Sequence, residues 1–182
     1  MIFVISGLSG SGKSTIAKKL SEKTGIEMVI QYTTRPIRPG EKNGVDYNFI
    51  TNAKFRSMHM LTKEHFNVAT NEVWSYGLPH LNDEKHYITV LPPRSIQLLK
   101  NKGKEVVDIL IEVNDEKRFE RIAKRNDNQC VQEIKRRDKD DKKIFKNYKP
   151  VITFVNNYDL DDIVEDIIDF IKYCLQIDLD VI

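Results

Sequence analysis

Cysteine is scarce in this chain: two in 182 residues, Cys130 in a charged stretch and Cys174 in a late helical pattern. That excludes a disulfide framework and any cysteine metal spacing, and it fits a reducing compartment. Long apolar runs are missing as well. None reaches the roughly eighteen residues of a membrane-spanning helix, and the apolar run at the N-terminus is too short for a signal peptide. A one-sided charge is also absent, because Lys and Arg total 29 against 27 Asp and Glu, a net charge of +2. No global field therefore draws the chain to nucleic acid or to an anionic membrane, and neither is expected as a partner. No internal repeat or low-complexity segment is visible. What remains, with 40% hydrophobic and 31% charged residues, is the composition of one ordinary globular core. The expectation is a cytoplasmic protein, monomer or homodimer, and a glycine-rich stretch beginning almost at residue 1 leaves no room for a transit segment.

That stretch, Gly7 to Ser14, reads GLSGSGKS. The spacing Gly-x-x-x-x-Gly-Lys-Ser is the phosphate-binding loop, and its context suits the motif: Ile2-Phe3-Val4-Ile5 before it reads as a strand, and Ile16, Ala17 and Leu20 after it have helical spacing. Glycine lets backbone N–H groups converge on phosphate oxygens, and the helix start adds partial positive charge. Gly7, Ser9, Gly10, Ser11, Gly12 and Thr15 are the expected cradle for ATP. Lys13 is expected to reach the β- and γ-phosphates, and the Ser14 hydroxyl to hold Mg²⁺.

Downstream, strands and helices alternate. A helix is expected over about 13–23, a short strand over 27–30, a strand over 86–91, a helix to about Lys102, a buried strand over 106–113 and a helix from Asp115 to about Arg125, capped by Asn114. A charged helix over 131–148, a strand over 151–155 and the clearest helix, 159–176 with Ile163, Ile167 and Ile171 at four-residue steps, complete the pattern. This is an α/β chain with a parallel sheet flanked by helices. The segment from Gln31 to Lys85 breaks the alternation and reads as a β-rich insertion. Asn43-Gly44 in it signals a hairpin, 53–61 looks helical, and 65–76 reads as one or two short strands.

Within the insertion, TTRPIRPGEKNGVDY holds Arg35, Arg38 and Tyr47 in proline-stiffened extended chain. Two arginine forks and a phenol can converge on one small anion, although Arg-Pro stretches are also common surface loops. Arg121, Arg125, Arg136 and Arg137 flank residues 126–130, in a region that also reads as a solvated helix face.

Taken together, the phosphate loop, TTRPxRPGExxGxDYxF and the late VNN-x-DLD segment resemble the guanylate kinase family. The resemblance implies a P-loop core (1–30, 86–125 and 150–182), an inserted nucleoside-monophosphate-binding subdomain (31–85) and a helical lid (126–149). It implies transfer of the ATP γ-phosphate to GMP, dGMP or a related monophosphate. Arg35, Arg38, Tyr47 and Tyr76 would bind the acceptor phosphate, with Gln31 at its base end; Tyr76 reads equally as a core aromatic beside Trp74. Lys13, Arg125 and Arg137 would be catalytic, and Asn156 would sit near the adenine of ATP.

Four positions depart from the family. Gln31 replaces a small hydroxyl residue, Asn67 and Val68 stand where a glutamate is expected, Leu78 replaces serine or threonine after Tyr-Gly, and Val90 and Pro92 replace an aspartate pair near Mg²⁺. Without those carboxylates guanine loses its distinguishing partners. Gln31, Asn67, Asn71 and Glu72 then suggest a different hydrogen-bond pattern, suited to a pyrimidine or modified base, and Asp108 is a candidate substitute near the metal. Two further alternatives are a non-catalytic interaction module of the same fold and a sugar-phosphate kinase.

Overall fold

The computed structural model describes residues 1–68, 71–124, 131–157 and 159–180. Its organising element is β1 (Ile2–Ser6), buried along its whole length. A strand apolar on both faces belongs inside a parallel sheet covered by helices on either side. β1 is the middle strand of five, in the order β2 (Glu27–Met28), β7 (Tyr87–Val90), β1, β8 (Val106–Glu112) and β9 (Ile152–Val155), every pairing parallel. Phe3 and Ile5 point to one core with Ile16, Ala17 and Leu20 of α1 (Lys13–Thr24) and Ile163, Val164, Ile167 and Ile171 of α6 (Leu160–Asp180). Ile2 and Val4 point the other way, onto Ile96 and Leu99 of α3 (Pro93–Asn101).

The insertion builds a separate four-stranded sheet, β4 (Asn48–Phe49), β3 (Tyr32–Thr33), β6 (Val73–Leu78) and β5 (Thr62–Asn67) in spatial order. β5 and β6 form an antiparallel hairpin that pairs Glu64 with Tyr76. Leu61 and Leu78 join the α3 core and seat this sheet beside the first. α2 (Asn52–Ser57) is shorter than the expected 53–61 helix, with its N–H of Lys54 capped by the Thr51 hydroxyl.

The hairpin signal at Asn43-Gly44 does not produce a hairpin. β4 pairs in parallel with β3, and residues 41–47 close as a compact loop instead. Polar side chains make the loop: the Asn43 Oδ1 accepts the Phe49 N–H and the Asp46 Oδ2 accepts the Lys42 N–H, each at 2.8 Å. Local side-chain acceptors thereby take the hydrogen bonds that a hairpin ladder would have used. The charged region folds as α4 (Asp115–Ala123), capped by Asn114, and α5 (Val131–Phe145). Among the described residues no helix is long and apolar enough to cross a membrane.

Candidate active site

The loop after β1 lies at the C-terminal ends of the parallel strands, where open α/β sheets bind ligands. Its glycines are required by space as well as by conformation. Gly10 has φ +86° and Gly12 φ +93°. A Cβ at Gly10 would stand 2.7 Å from the Arg118 carbonyl oxygen, and one at Gly12 would stand 2.6 Å from the Asn156 Nδ2. The Lys13 Nζ donates to the Leu8 carbonyl at 2.9 Å, folding the side chain over the loop.

Two residues hold the loop from behind. The buried Asn156 donates from Nδ2 to the Ser11 carbonyl at 2.8 Å. This places Asn156 under the loop rather than on the cavity wall. Arg118, 0% exposed, donates to the Ser9 carbonyl at 3.2 Å and forks onto Asp115 at 2.8 Å and onto Asp138 of α5. Nothing in the sequence singled Arg118 out, since a cation on the amphipathic α4 reads as surface. α5 also reaches the loop directly, because the Asp141 Oδ2 accepts the Ser9 N–H at 2.8 Å.

A cavity of about 610 Å³ opens from this loop toward the second sheet. Gly7, Ser9, Lys13 and Ser14 line one end, Arg136, Arg137, Asp140 and Asp141 of α5 close the side, and Arg38, Tyr47 and Tyr76 stand opposite. A smaller space of about 360 Å³ adjoins it, sharing Ser14, Gln31, Arg38, Tyr47, Tyr76 and Arg137 and adding Arg35. The phosphate loop and the Arg-Pro segment, far apart in sequence, thus face one cleft. Gly10, Ser11, Gly12 and Thr15 complete the loop without lining the larger cavity, and Arg125 lies outside the described residues.

Arg35 is 3% exposed and fixed in place. Its two terminal nitrogens meet the two oxygens of Glu41 at 3.0 and 2.8 Å, one of them also meets the Pro36 carbonyl at 2.8 Å, and the guanidinium sits 5.4 Å from the ring centres of both Tyr47 and Phe49. Glu41 also accepts the Arg38 N–H at 2.8 Å. Burial works against the charge of both partners, yet the fork holds the Glu41 carboxyl below its usual range and raises Arg35 further. The Tyr47 phenol is pushed up to about 12, chiefly by burial, and so stays a hydrogen-bond donor.

The base end differs from the expectation. Asn67, Asn71 and Glu72 are exposed and do not line the cavity; the Glu72 carboxylate accepts the Trp74 indole N–H at 3.2 Å. Gln31 does line it, donating to the Val90 carbonyl at 2.5 Å. Besides Asp140 and Asp141 of α5, the cavity is lined by the Glu64 carboxylate, with Thr62 and Ser95 and the apolar walls Phe66, Val68 and Trp74. Glu64 is 6% exposed, and its Oε1 is buried with no partner among the described residues. Burial raises its carboxyl above the usual range, partly offset by the Ser95 hydroxyl and the charge of Arg94. Leu78 faces the core at 0% exposure, while Val90 and Pro92 line the cavity. Asp108 does not line it; buried on β8, it accepts from the Lys100 Nζ at 2.8 Å and the Tyr148 hydroxyl at 2.6 Å.

A parallel sheet in this strand order, with a phosphate loop on its central strand and a cation-rich second pocket beside it, has the architecture of a P-loop nucleotide-binding fold. The chain belongs to the guanylate kinase family, whose model, described as "Guanylate kinase", matches residues 1–173. It is 36% identical to a guanylate kinase of Zymomonas mobilis over 108 residues, 59% of this chain and 44% of that one. It is 45% identical to one of Novosphingobium aromaticivorans over 80 residues, 43% of this chain and 36% of that one. The matched stretches thus span less than half the length of these curated relatives. Among solved structures, a guanylate kinase from Anaplasma phagocytophilum superposes with a TM-score of 0.71 at 24% identity, covering 95% of this chain and 85% of that one. A sugar kinase from Janibacter superposes with a TM-score of 0.55 at 14% identity, covering 94% of each chain. Both show the shared fold.

Proposed function

We propose that this protein transfers the γ-phosphoryl group of ATP to the phosphate of GMP or dGMP. The observation that carries the reading is the single cleft in which Lys13 and Ser14 face Arg38, Tyr47 and Tyr76, with the buried Glu64 carboxylate at the far end. In this reading the loop holds the donor phosphates, residues 31–85 act as the acceptor-binding subdomain and residues 126–149 as the lid. The acceptor is already an anion near neutral pH, so little proton transfer is needed. Lys13, Arg137 and Arg125 neutralise charge that spreads over the transferred group, and Arg35, Arg38, Tyr47 and Tyr76 orient the acceptor. Closure of α5 over the cleft excludes water.

The donor set fits magnesium. Ser14 and Asp140 line the same cavity, and no cage of three or more His, Cys, Asp or Glu exists among the described residues. Magnesium commonly uses one or two protein oxygens and completes its shell with water and nucleotide phosphates. When bound, it would offset the negative charge of the donor phosphates. A cytoplasmic location accords with the family.

Glu64 argues for guanine. Guanine presents two adjacent N–H donors, at N1 and the exocyclic amine, and a buried carboxylate oxygen without a partner is costly until such donors arrive. Of the four residues that suggest a pyrimidine or modified base, Gln31 lines the cavity, whereas Asn67, Asn71 and Glu72 lie outside it. The test is an ATP-dependent assay across all ribo- and deoxynucleoside monophosphates, with Glu64→Gln alongside. GMP or dGMP should lead by at least about 100-fold in kcat/KM, and the variant should lose most of that preference. A pyrimidine nucleotide as best acceptor would overturn the guanine assignment. No ATP–Mg²⁺ binding would point instead to a non-catalytic scaffold.

A further inference from the structure

Donor and acceptor groups are carried by different parts of the molecule, α1 and the loop 41–47, and an ion pair joins the two. The Lys18 Nζ lies 2.5 Å from the Asp46 Oδ1. Lys18 stands four residues after Ser14, on the same face of α1, and both residues line the smaller space beside Arg38 and Tyr47. Asp46 immediately precedes Tyr47 and uses its second oxygen to accept the Lys42 N–H at 2.8 Å. One carboxylate therefore closes the loop and ties it to the helix that begins at the phosphate loop. At the start of the same loop, Glu41 grips Arg35 and the Arg38 N–H.

We infer that Lys18 and Asp46 are a positioning pair that fixes the acceptor clamp at its working distance from the donor loop. The inference rests on the phosphotransfer reading. Thermodynamically the pair is modest, since the side chains keep 38% and 24% exposure and partly exposed ion pairs contribute little to stability. Its effect is geometric. Transfer needs two phosphates in near-attack alignment, and a displacement of about 1 Å can cost about 100-fold in rate. Loop 41–47 carries Tyr47 and the Glu41 brace of both arginines, so the tie at Asp46 sets where the whole clamp sits. Burial opposes the charge of the Asp46 carboxyl, but Lys18 and the Lys42 N–H outweigh it and hold the carboxyl below its usual range.

The experiment uses the full chain with Lys18→Met, Lys18→Arg, Asp46→Asn and the Lys18→Met/Asp46→Asn double variant. Lys18→Met keeps the apolar stem and removes the charge. With ATP and GMP, each neutral variant should lose about 10-fold in kcat. ATP affinity by calorimetry should stay within about 2-fold, and Lys18→Arg should retain most of the rate. The double variant should be no worse than the worse single, the signature of one shared interaction. Quenching of Trp74, the single tryptophan and a cavity-wall residue, reads acceptor binding separately from turnover. Wild-type kcat in Asp46→Asn would overturn the inference, and a loss in Lys18→Met alone would make Lys18 a direct ligand of the acceptor. A loss of ATP affinity matching the loss of kcat would also overturn it. Transfer by the wild type with unchanged neutral variants removes the positioning role alone; a wild type that transfers to no monophosphate removes that role together with the reaction.

Discussion

Glu41 spans both terminal nitrogens of the Arg35 guanidinium, and the arginine it holds is nearly fully buried. A cation in that position tolerates its burial only because the carboxylate and the Pro36 carbonyl satisfy it. Glu41→Gln should therefore destabilise the fold by about 3 kcal/mol in urea unfolding, at the low end for a broken buried pair because Glu41 keeps some solvent access. The pH dependence has a definite sign. The Glu41 carboxyl lies below its usual range in the folded protein, so its contribution is fully present above the unfolded value of about 4.3 and is lost as pH falls through the lower folded value. The gap between wild type and Glu41→Gln should hold at pH 6 and narrow only below about pH 4. An equal gap at pH 3 would assign the loss to shape rather than charge.

Glu64 titrates in the opposite sense. Burial raises its carboxyl, so its ionised form is lost on acidification earlier than that of an exposed glutamate. Only the ionised form accepts from both donors of guanine. The GMP KM should rise as pH drops through a group above the ordinary glutamate range, while the KM for ATP does not follow that group. In Glu64→Gln the GMP KM should be high across the same interval and keep only the inflection of the acceptor phosphate itself, whose second proton leaves at about pH 6. Steady-state kinetics between pH 5 and pH 8 decide it, and a wild-type-like inflection in the variant would remove Glu64 from base recognition.

The contrast between Lys13 and Glu64 shows which parts of the site are legible in the sequence. The GxxxxGKS spacing places Lys13 and Ser14 because backbone geometry around the phosphates demands those residues at those intervals, and β1, α1 and the parallel sheet follow from the flanking apolar pattern. Arg38 and Tyr47 reach the cleft as the Arg-Pro segment implies. Glu64 is hidden in Thr-Lys-Glu-His-Phe-Asn, where both faces of the strand carry polar residues. The alternation alone cannot tell which face is buried, and the decisive pairing with Tyr76 is a tertiary register. Asn43-Gly44 fails for a related reason: the turn chemistry is present, but Asn43 and Asp46 spend it on closing a loop. Arg118 escapes notice because a buried cation under the phosphate loop is a property of how α4 packs.

Removing a loop cation and removing a clamp cation should separate cleanly in kinetics. Lys13 folds over the donor loop, so Lys13→Ala should lower kcat by about 1000-fold or more, as expected when a main charge-neutralising group is lost. Arg38 lines both spaces on the acceptor side, so Arg38→Ala should raise the acceptor KM by about 10-fold and leave ATP affinity nearly unchanged. Wild-type kinetics in Arg38→Ala would remove it from the site.

Asp141 places a carboxylate on the Ser9 N–H, an amide of the loop assigned here to the donor phosphates. The loop's amides and the start of α1 attract anions, and α5 supplies one from within the chain. A bound phosphate and the carboxylate compete for that amide, so ATP must displace Asp141 to use it. Asn at this position keeps an oxygen acceptor but loses the charge that makes the bond strong. Asp141→Asn should therefore bind ATP–Mg²⁺ about 5-fold more tightly, equivalent to about 1 kcal/mol, and the gain should shrink as salt screens the competing charge. Calorimetry of both proteins at two ionic strengths measures this. Weaker ATP binding in the variant would show that Asp141 supports the nucleotide-bound state instead.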